Sequence, residues 1–275
     1  MSGFSGDWLS AREPVDLRAR NATVRDAFLT YLAVRKGCDP TRPLVLLDLG
    51  AGTGATLRAL APHLAALQAW RLAEHDPALI ARARALIGEE QTHIEIVEAD
   101  LAAGVPEALL EGVDGVTTSA FLDLVSAGWV SAFARQLAAH RLPFLAMLTY
   151  DGRLSLDPAA PLDASIREAM NAHQRGDKGF GAALGPQAAD LTREVFQEAG
   201  FRVVEGRSDW EAEPDEQAFQ SMLVDGWVDA ARDMAADMAI DADALSRWHA
   251  RRRGEIAARA LVTRVGHRDL AALPV

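Results

Sequence analysis

Leu44-Val45-Leu46-Leu47-Asp48-Leu49-Gly50-Ala51-Gly52-Thr53-Gly54 is the stretch that decides the fold. Its apolar start, residues 44–47, has the length of a strand buried on both faces, as in a parallel sheet. Three glycines at alternate positions, Gly50, Gly52 and Gly54, then let the chain turn tightly and let a ligand approach the backbone. Leu57, Leu60, Ala61 and Leu64 follow at i, i+3, i+4 and i+7, the spacing of one helix face. Strand, glycine turn and helix form the first half of a nucleotide-type site.

The turn admits more than one reading. Gly50, Gly52 and Ala55 satisfy the loose G-x-G-x-x-A dinucleotide fingerprint of an NAD(P)-dependent oxidoreductase, and a glycine turn that merely joins strand to helix needs no ligand at all. The fuller match is D-x-G-x-G-x-G, with Asp48 inside the strand end. In this the chain resembles the class I S-adenosylmethionine-dependent methyltransferases. The resemblance implies a doubly wound, Rossmann-like α/β fold with a seven-stranded sheet whose last strand is antiparallel. It implies that Gly50, Ala51, Gly52 and Gly54 run beneath the methionine and ribose of the cofactor, with Asp48 holding the loop and the cofactor's amino end. A sulfonium ligand tolerates an acid at this mouth, whereas a pyrophosphate does not.

The rest of the series comes in order. Residues 69–74 read as the second strand, and Asp76-Pro77 caps a helix carrying Ile80, Ala83 and Ile87 and stopped by Gly88. Glu74 stands about 20 residues past the glycine loop, the place of a carboxylate that takes both ribose hydroxyls. Residues 92–97 form the third strand, and Asp100 follows where the family places an acid against the adenine amino group. His75, Leu101 and Ser119 neighbour these strand ends, and the resemblance implies cofactor contacts for them too. Residues 113–118, 143–149, 201–205 and 259–265 supply the remaining strands.

Residues 1–40 read as an N-terminal helical cover, with Glu13-Pro14 opening a helix at the proline. Within it Arg20 is the expected partner of the cofactor carboxylate, and Arg12 is a substrate contact. On the methyl side, Asp123 after the fourth strand, Tyr150 after the fifth and His173 are candidate acid–base groups. Asp151, Asn171, Arg175 and Lys178 are candidate acceptor contacts; residues 152–186 read as a long glycine-containing loop lining the pocket. The chain lacks the Asn/Asp-Pro-Pro-aromatic motif of the family's exocyclic-amine enzymes, and lacks the acids and asparagine of its metal-dependent catechol enzymes. Residues 214–256 read as a C-terminal helical insertion, whose stripe of Phe219, Met222, Leu223, Trp227, Ala230 and Met234 is core or oligomer surface and is compatible with a homodimer.

Composition bounds the function. The 275 residues suffice for one domain: cover 1–40, cofactor core 41–210, insertion 211–257, last strand and tail 258–275. A net charge of −11 argues against a nucleic-acid partner, and Arg251-Arg252-Arg253 reads as a solvated helix face. The single cysteine, Cys38, allows neither an internal disulfide nor a cysteine metal site. No apolar run reaches membrane-spanning length and no signal peptide is recognisable, so a cytoplasmic location is expected. The expectation is methyl transfer from S-adenosylmethionine, released as S-adenosylhomocysteine, to a small O- or N-acceptor, with no metal. A dehydrogenase and a non-catalytic cofactor-binding scaffold are the alternatives.

Overall fold

The computed structural model describes residues 5–37, 42–64, 67–87 and 93–275. Cys38, Gly88 and Thr92 lie outside the described residues. Helices α1 (Gly6–Ala19) and α2 (Ala22–Lys36) precede strand β1 (Leu44–Leu49). The first half continues through α3 (Ala55–Leu60), β2 (Gln68–Glu74), α4 (Pro77–Leu86), β3 (His93–Glu98), α5 (Glu107–Leu110), β4 (Gly115–Ser119) and α6 (Ala127–His140). Then come β5 (Phe144–Asp157), α7 (Asp163–Gln174), α8 (Ala188–Glu198), β6 (Phe201–Arg207) and β7 (Trp210–Ala212). Helices α9 (Gln217–Asp233), α10 (Ala235–Met238) and α11 (Ala242–Ala257) lead to β8 (Val262–Pro274). Among the described residues, no helix is long and apolar enough to cross a membrane.

The sheet order is β3-β2-β1-β4-β5-β8-β6, with β7 also on β8. Strands β1 to β5 pair in parallel, and β8 runs antiparallel to β5, β6 and β7. The reversed last strand is therefore as expected, but among the described residues the sheet has eight strands, not seven. The final strand begins at Val262 rather than residue 259 and continues to Pro274. Leu46, Leu47 and Leu49 of β1 are wholly buried because helices cover both faces. Val24, Phe28 and Leu32 of α2 pack on one face with Leu46 and Trp70; Trp129, Val130, Phe133 and Leu137 of α6 pack on the other with Leu47 and Phe144.

Several expectations are corrected. Pro14 does not open a helix: α1 starts eight residues earlier, capped by Ser5, whose Oγ accepts from Trp8 N. Residues 152–186 are not one loop. Strand β5 continues to Asp157, with Leu154 and Leu156 inward and Ser155 and Asp157 outward. Helix α7 follows, with Ile166 and Ala169 inward. Residues 158–162 and the turn after Gln174 are irregular, and in the latter Asp177 Oδ1 accepts from Gly179 N and Gly181 N. Arg252 is not solvated. It is fully buried, with Nη2 donating to Asp163 and Nη1 to Glu255 and the Pro158 carbonyl. The α9 stripe is core: Phe219, Leu223, Trp227 and Ala230 are buried within the chain.

One irregularity shapes the crevice. The β5–β8 register shifts between Ala146 and Thr149, where Leu148 adopts φ +54°. A bulge of this kind re-aims the side chains beside it. Its freed amide is taken by buried Asp269 on β8: Leu148 N donates to Oδ1 at 2.7 Å, while Asn21 N, at the start of α2, donates to Oδ2 at 2.7 Å. One carboxylate thus ties bulge, last strand and N-terminal cover together. Asp269→Ala should lower stability by about 2–4 kcal/mol, because it leaves two backbone donors without their charged acceptor; denaturant unfolding measures this, and a change below about 0.5 kcal/mol contradicts it.

Candidate functional site at the carboxyl ends of β1 and β4

Strand order reverses between β1 and β4, which opens a crevice at their carboxyl ends. Asp48 sits there, fully buried. Thr117 on β4, its direct register partner, donates from Oγ1 to Asp48 Oδ1 at 2.7 Å. Thr118 Oγ1 donates to Leu49 O at 2.8 Å. Asp48 Oδ2 has no partner. Burial pushes the Asp48 carboxyl up to about 7, against the opposing pull of Thr117 and Arg20.

The glycine turn lies directly above. Gly50, Gly52 and Gly54 all have positive φ, the region where a Cβ is strained. At Gly50 a Cβ would also come within 2.9 Å of the Phe121 ring. Glu74 fixes the turn from β2: its Oε2 accepts from Gly52 N at 2.8 Å, and its Oε1 accepts from His75 N and Asp76 N. The buried carboxylate keeps a lone pair on Oε2, available to a ligand hydroxyl. His75 is itself exposed beside Glu74. Ala51 is buried beneath the turn, its amide donating to Ala73 O. Asp100 is exposed and closes its own turn on Ala102 N, while Trp129 Nε1 donates to Leu101 O at 2.8 Å.

Helix α1 lies over this mouth. Arg58 of α3 makes a two-pronged bond to Glu13 at 2.6 and 2.8 Å, and Arg82 of α4 reaches Asp7 and Ser10. Leu9 Cδ1 lies 3.4 Å from where a Gly52 Cβ would stand. Arg20, the residue ending α1, is half-buried, with Nη1 against Met147 Sδ at 3.0 Å and its buried Nε unpartnered. Burial lowers its pKa, opposed by Asp16, Asp269 and Asp48.

The residues expected on the methyl side form a second group. Asp123 is buried with Oδ1 unpartnered, and burial pushes its pKa up to about 6 against the pull of Arg12 and Lys178. Tyr150 donates to Asn171 Oδ1 at 2.7 Å, and its pKa is raised by burial and then by Asp151 and Asp123. Asn171 spends its amide on Gly152 O, so it holds Tyr150 in place. Arg175 is exposed at the end of α7; Lys178 follows in the turn, its pKa lowered by burial.

Two candidates are engaged elsewhere. Asp151 is gripped by Arg153 Nε at 2.8 Å and lies 3.7 Å from Arg268, in an ion-pair group completed by Asp209. Tyr150 and Asp151, adjacent on β5, carry different partners because neighbouring strand residues face opposite sides. His173 faces Asp233 of α9 at 3.5 Å, with its pKa lowered mainly by burial.

Sequence reading overlooked His267, Trp210 and Phe121. His267 is buried, its ring 4.4 Å from Trp210 and 6.0 Å from Tyr150. Burial holds its pKa down to about 3, so the ring is neutral. Its Nδ1 donates to Val265 O, which leaves Nε2 as an acceptor. A longer last strand, legible in the apolar Leu270 to Leu273, is the signal that would have found it.

Among the described residues seven buried side-chain polar atoms lack a partner, and four belong here: Arg20 Nε, Asp48 Oδ2, Ser119 Oγ and Asp123 Oδ1. Buried polar atoms are normally paired, so this concentration marks a place for a polar, charged ligand. Asp48 also sets a pH dependence. Its raised pKa means the folded protein holds a proton that the unfolded chain releases, so this stabilising term is complete below about pH 4 and lost as pH rises through about 7. Asp48→Asn should remove it: the variant gains on wild type across that window, by up to roughly 4 kcal/mol. Parallel unfolding curves at pH 5 and 8 give the difference, and an unchanged gap overturns the account.

No protein-family model matches the chain. No curated protein matches it. Solved structures do. A cyclopropane synthase from Mycobacterium tuberculosis aligns with 90% of this chain and 82% of its own, at 14% identity and TM-score 0.46. An S-adenosylmethionine-dependent methyltransferase from Thiobacillus denitrificans, bound to S-adenosyl-L-homocysteine, aligns over 99% of both chains at 16% identity and TM-score 0.44. Phosphoethanolamine N-methyltransferase 2 from Haemonchus contortus, with phosphomonomethylethanolamine and S-adenosylhomocysteine, aligns over 99% of this chain and 59% of its own, at 15% identity and TM-score 0.47.

Proposed function

We propose that this chain is an S-adenosylmethionine-dependent methyltransferase acting on a small-molecule acceptor. The observation that carries the reading is the set of buried, unpartnered polar atoms gathered on Asp48, Arg20, Ser119 and Asp123 beneath a glycine turn. The set suits an amino-acid tail with one cation and one anion: Asp48 accepts from the ammonium, Arg20 donates to the carboxylate. Glu74 takes ribose hydroxyls, and the Asp100–Leu101 turn borders the base. The competing dinucleotide reading fares worse. An all-parallel dinucleotide sheet follows the order 3-2-1-4-5-6, whereas here the antiparallel β8 lies between β5 and β6. A buried acid at the turn also repels a pyrophosphate.

When bound, the cofactor supplies a methyl group already activated by a sulfonium. The protein must hold the acceptor in line and keep water out. Helix α1 closes the mouth through Glu13 and Asp7. Asp123 stands beyond β4 with a free oxygen and accepts the proton of an ammonium or hydroxyl acceptor. Tyr150, held as a phenol whose hydroxyl hydrogen is taken by Asn171, orients the acceptor by accepting a hydrogen bond from it.

Cofactor affinity should rise with pH through about 7, because Asp48 must be ionised to accept the ammonium. Asp48→Ala and Glu74→Ala should each weaken binding by about 1.5–3 kcal/mol. Calorimetry with S-adenosylhomocysteine tests both points, and two variants of wild-type affinity would remove the cofactor assignment. Asp123→Asn should keep cofactor affinity and lower turnover by roughly 10²–10⁴-fold. It should also abolish a rise in wild-type kcat centred near pH 6; an unaltered rate profile assigns the proton to another group.

A further inference from the structure

Arg12 differs from every other cation of the site in how it is held. It is buried in α1, and its Nε donates to Asp16 Oδ2 at 2.9 Å. Asp16 is fixed in turn, because Trp210 Nε1 donates to its Oδ1 at 2.8 Å. The guanidinium lies 5.4 Å over the Trp210 ring. Nε is one of five donors on the fork, and among the described residues neither Nη1 nor Nη2 has a hydrogen-bond partner. The charge of Arg12 acts on Asp123 and on His267. Arg20, by contrast, acts on Asp48 and Asp269. The two arginines also act on each other; Arg12 is the one set beside Trp210 and His267, on the acceptor side of the proposed site, and Arg20 the one at its cofactor tail.

We infer that Arg12 anchors a carboxylate of the methyl acceptor, so that the acceptor is a carboxylic acid whose reacting N–H or O–H lies toward Asp123. The inference rests on the methyl-transfer reading above. A planar fork with free terminal nitrogens matches a carboxylate in two parallel bonds. A single guanidinium neutralises one negative charge, and buried Asp123 disfavours a second, which points to a carboxylate over a phosphate dianion. The acceptor's opposite end meets Asp123 Oδ1, buried and unpartnered, and neutral His267 with Nε2 as acceptor. In the step, the acceptor lone pair forms the bond to the methyl carbon, the sulfur–carbon pair returns to sulfur, and the acceptor proton passes to Asp123. The acceptor carboxylate takes no part and is unchanged.

The test uses the full-length protein, methyl-labelled S-adenosylmethionine and the small-molecule fraction of a cell extract. The labelled product is purified and its binding measured by calorimetry without methyl donor, before and after its carboxyl is converted to the methylamide. The expected product retains a titratable carboxyl, and amidation or Arg12→Gln weakens its binding at least about tenfold. Arg12→Lys falls between, and both variants keep S-adenosylhomocysteine affinity within about twofold. If Arg12→Gln does not fold, the amidation comparison on wild-type protein decides. A product without a carboxyl, a base-labile methyl ester, or binding indifferent to amidation overturns the inference while leaving methyl transfer intact. Wild-type protein that binds no S-adenosylhomocysteine overturns the methyl-transfer reading and this inference with it.

Discussion

A carboxyl group buried without full compensation is the constraint on which this structure depends. Asp48 is placed between two parallel strands, with one oxygen satisfied by Thr117 and the other open. An unpaired polar atom in such a place costs stability. The fold tolerates it because the surrounding strands are continuous apolar runs covered on both faces, which leaves ample burial elsewhere. In the proposed function the cost has a use: a cationic ligand end finds a desolvated acceptor already in position.

The antiparallel β8 makes the rest of the site. Running back between β5 and β6, it brings Asp269 beneath the bulge of β5 and His267 beside Tyr150. Asp269 then reaches Asn21, and so fixes the junction of α1 and α2. Residues with positive φ stand on both neighbouring strands, Ala120 just after β4 and Leu148 at the bulge within β5, and Ala120 N is held by Met147 O. Backbone in this region is strained for residues other than glycine and persists where its surroundings over-determine it. Here it faces the crevice.

The cover and the C-terminal helices act as one wall. Trp8 of α1 stacks on Phe219 of α9 at 5.6 Å, and both meet Trp210 of β7 edge-on. Arg18 reaches Glu216 on the same side. Elements far apart in sequence thus share the anchoring of Arg12 and Asp16. The position of the proposed acceptor side is set by packing between the two ends of the chain.

What the sequence determined by itself was local. The first strand, its glycine turn, the Asp76-Pro77 cap and the succession of strands and helices follow from short-range periodicity, turn chemistry and capping. Asp48 and Glu74 were legible because they stand at fixed offsets from strand ends. The continuation of β5 was hidden by Gly152, which reads as punctuation but has φ +84° within the strand, where a Cβ would meet Pro186 at 2.6 Å. Tertiary structure alone decided which polar residues share a site. Asp151 and Tyr150 are neighbours in sequence, yet the alternation of a strand sends one to Arg153 and the other to Asn171. Arg252, one of three adjacent arginines, is buried because Asp163, 89 residues away, lies opposite it. Arg12, Trp210 and His267 meet only because β8 returns antiparallel and α1 folds across it. Such long-range pairings depend on packing and charge compensation between distant segments, which no local pattern encodes.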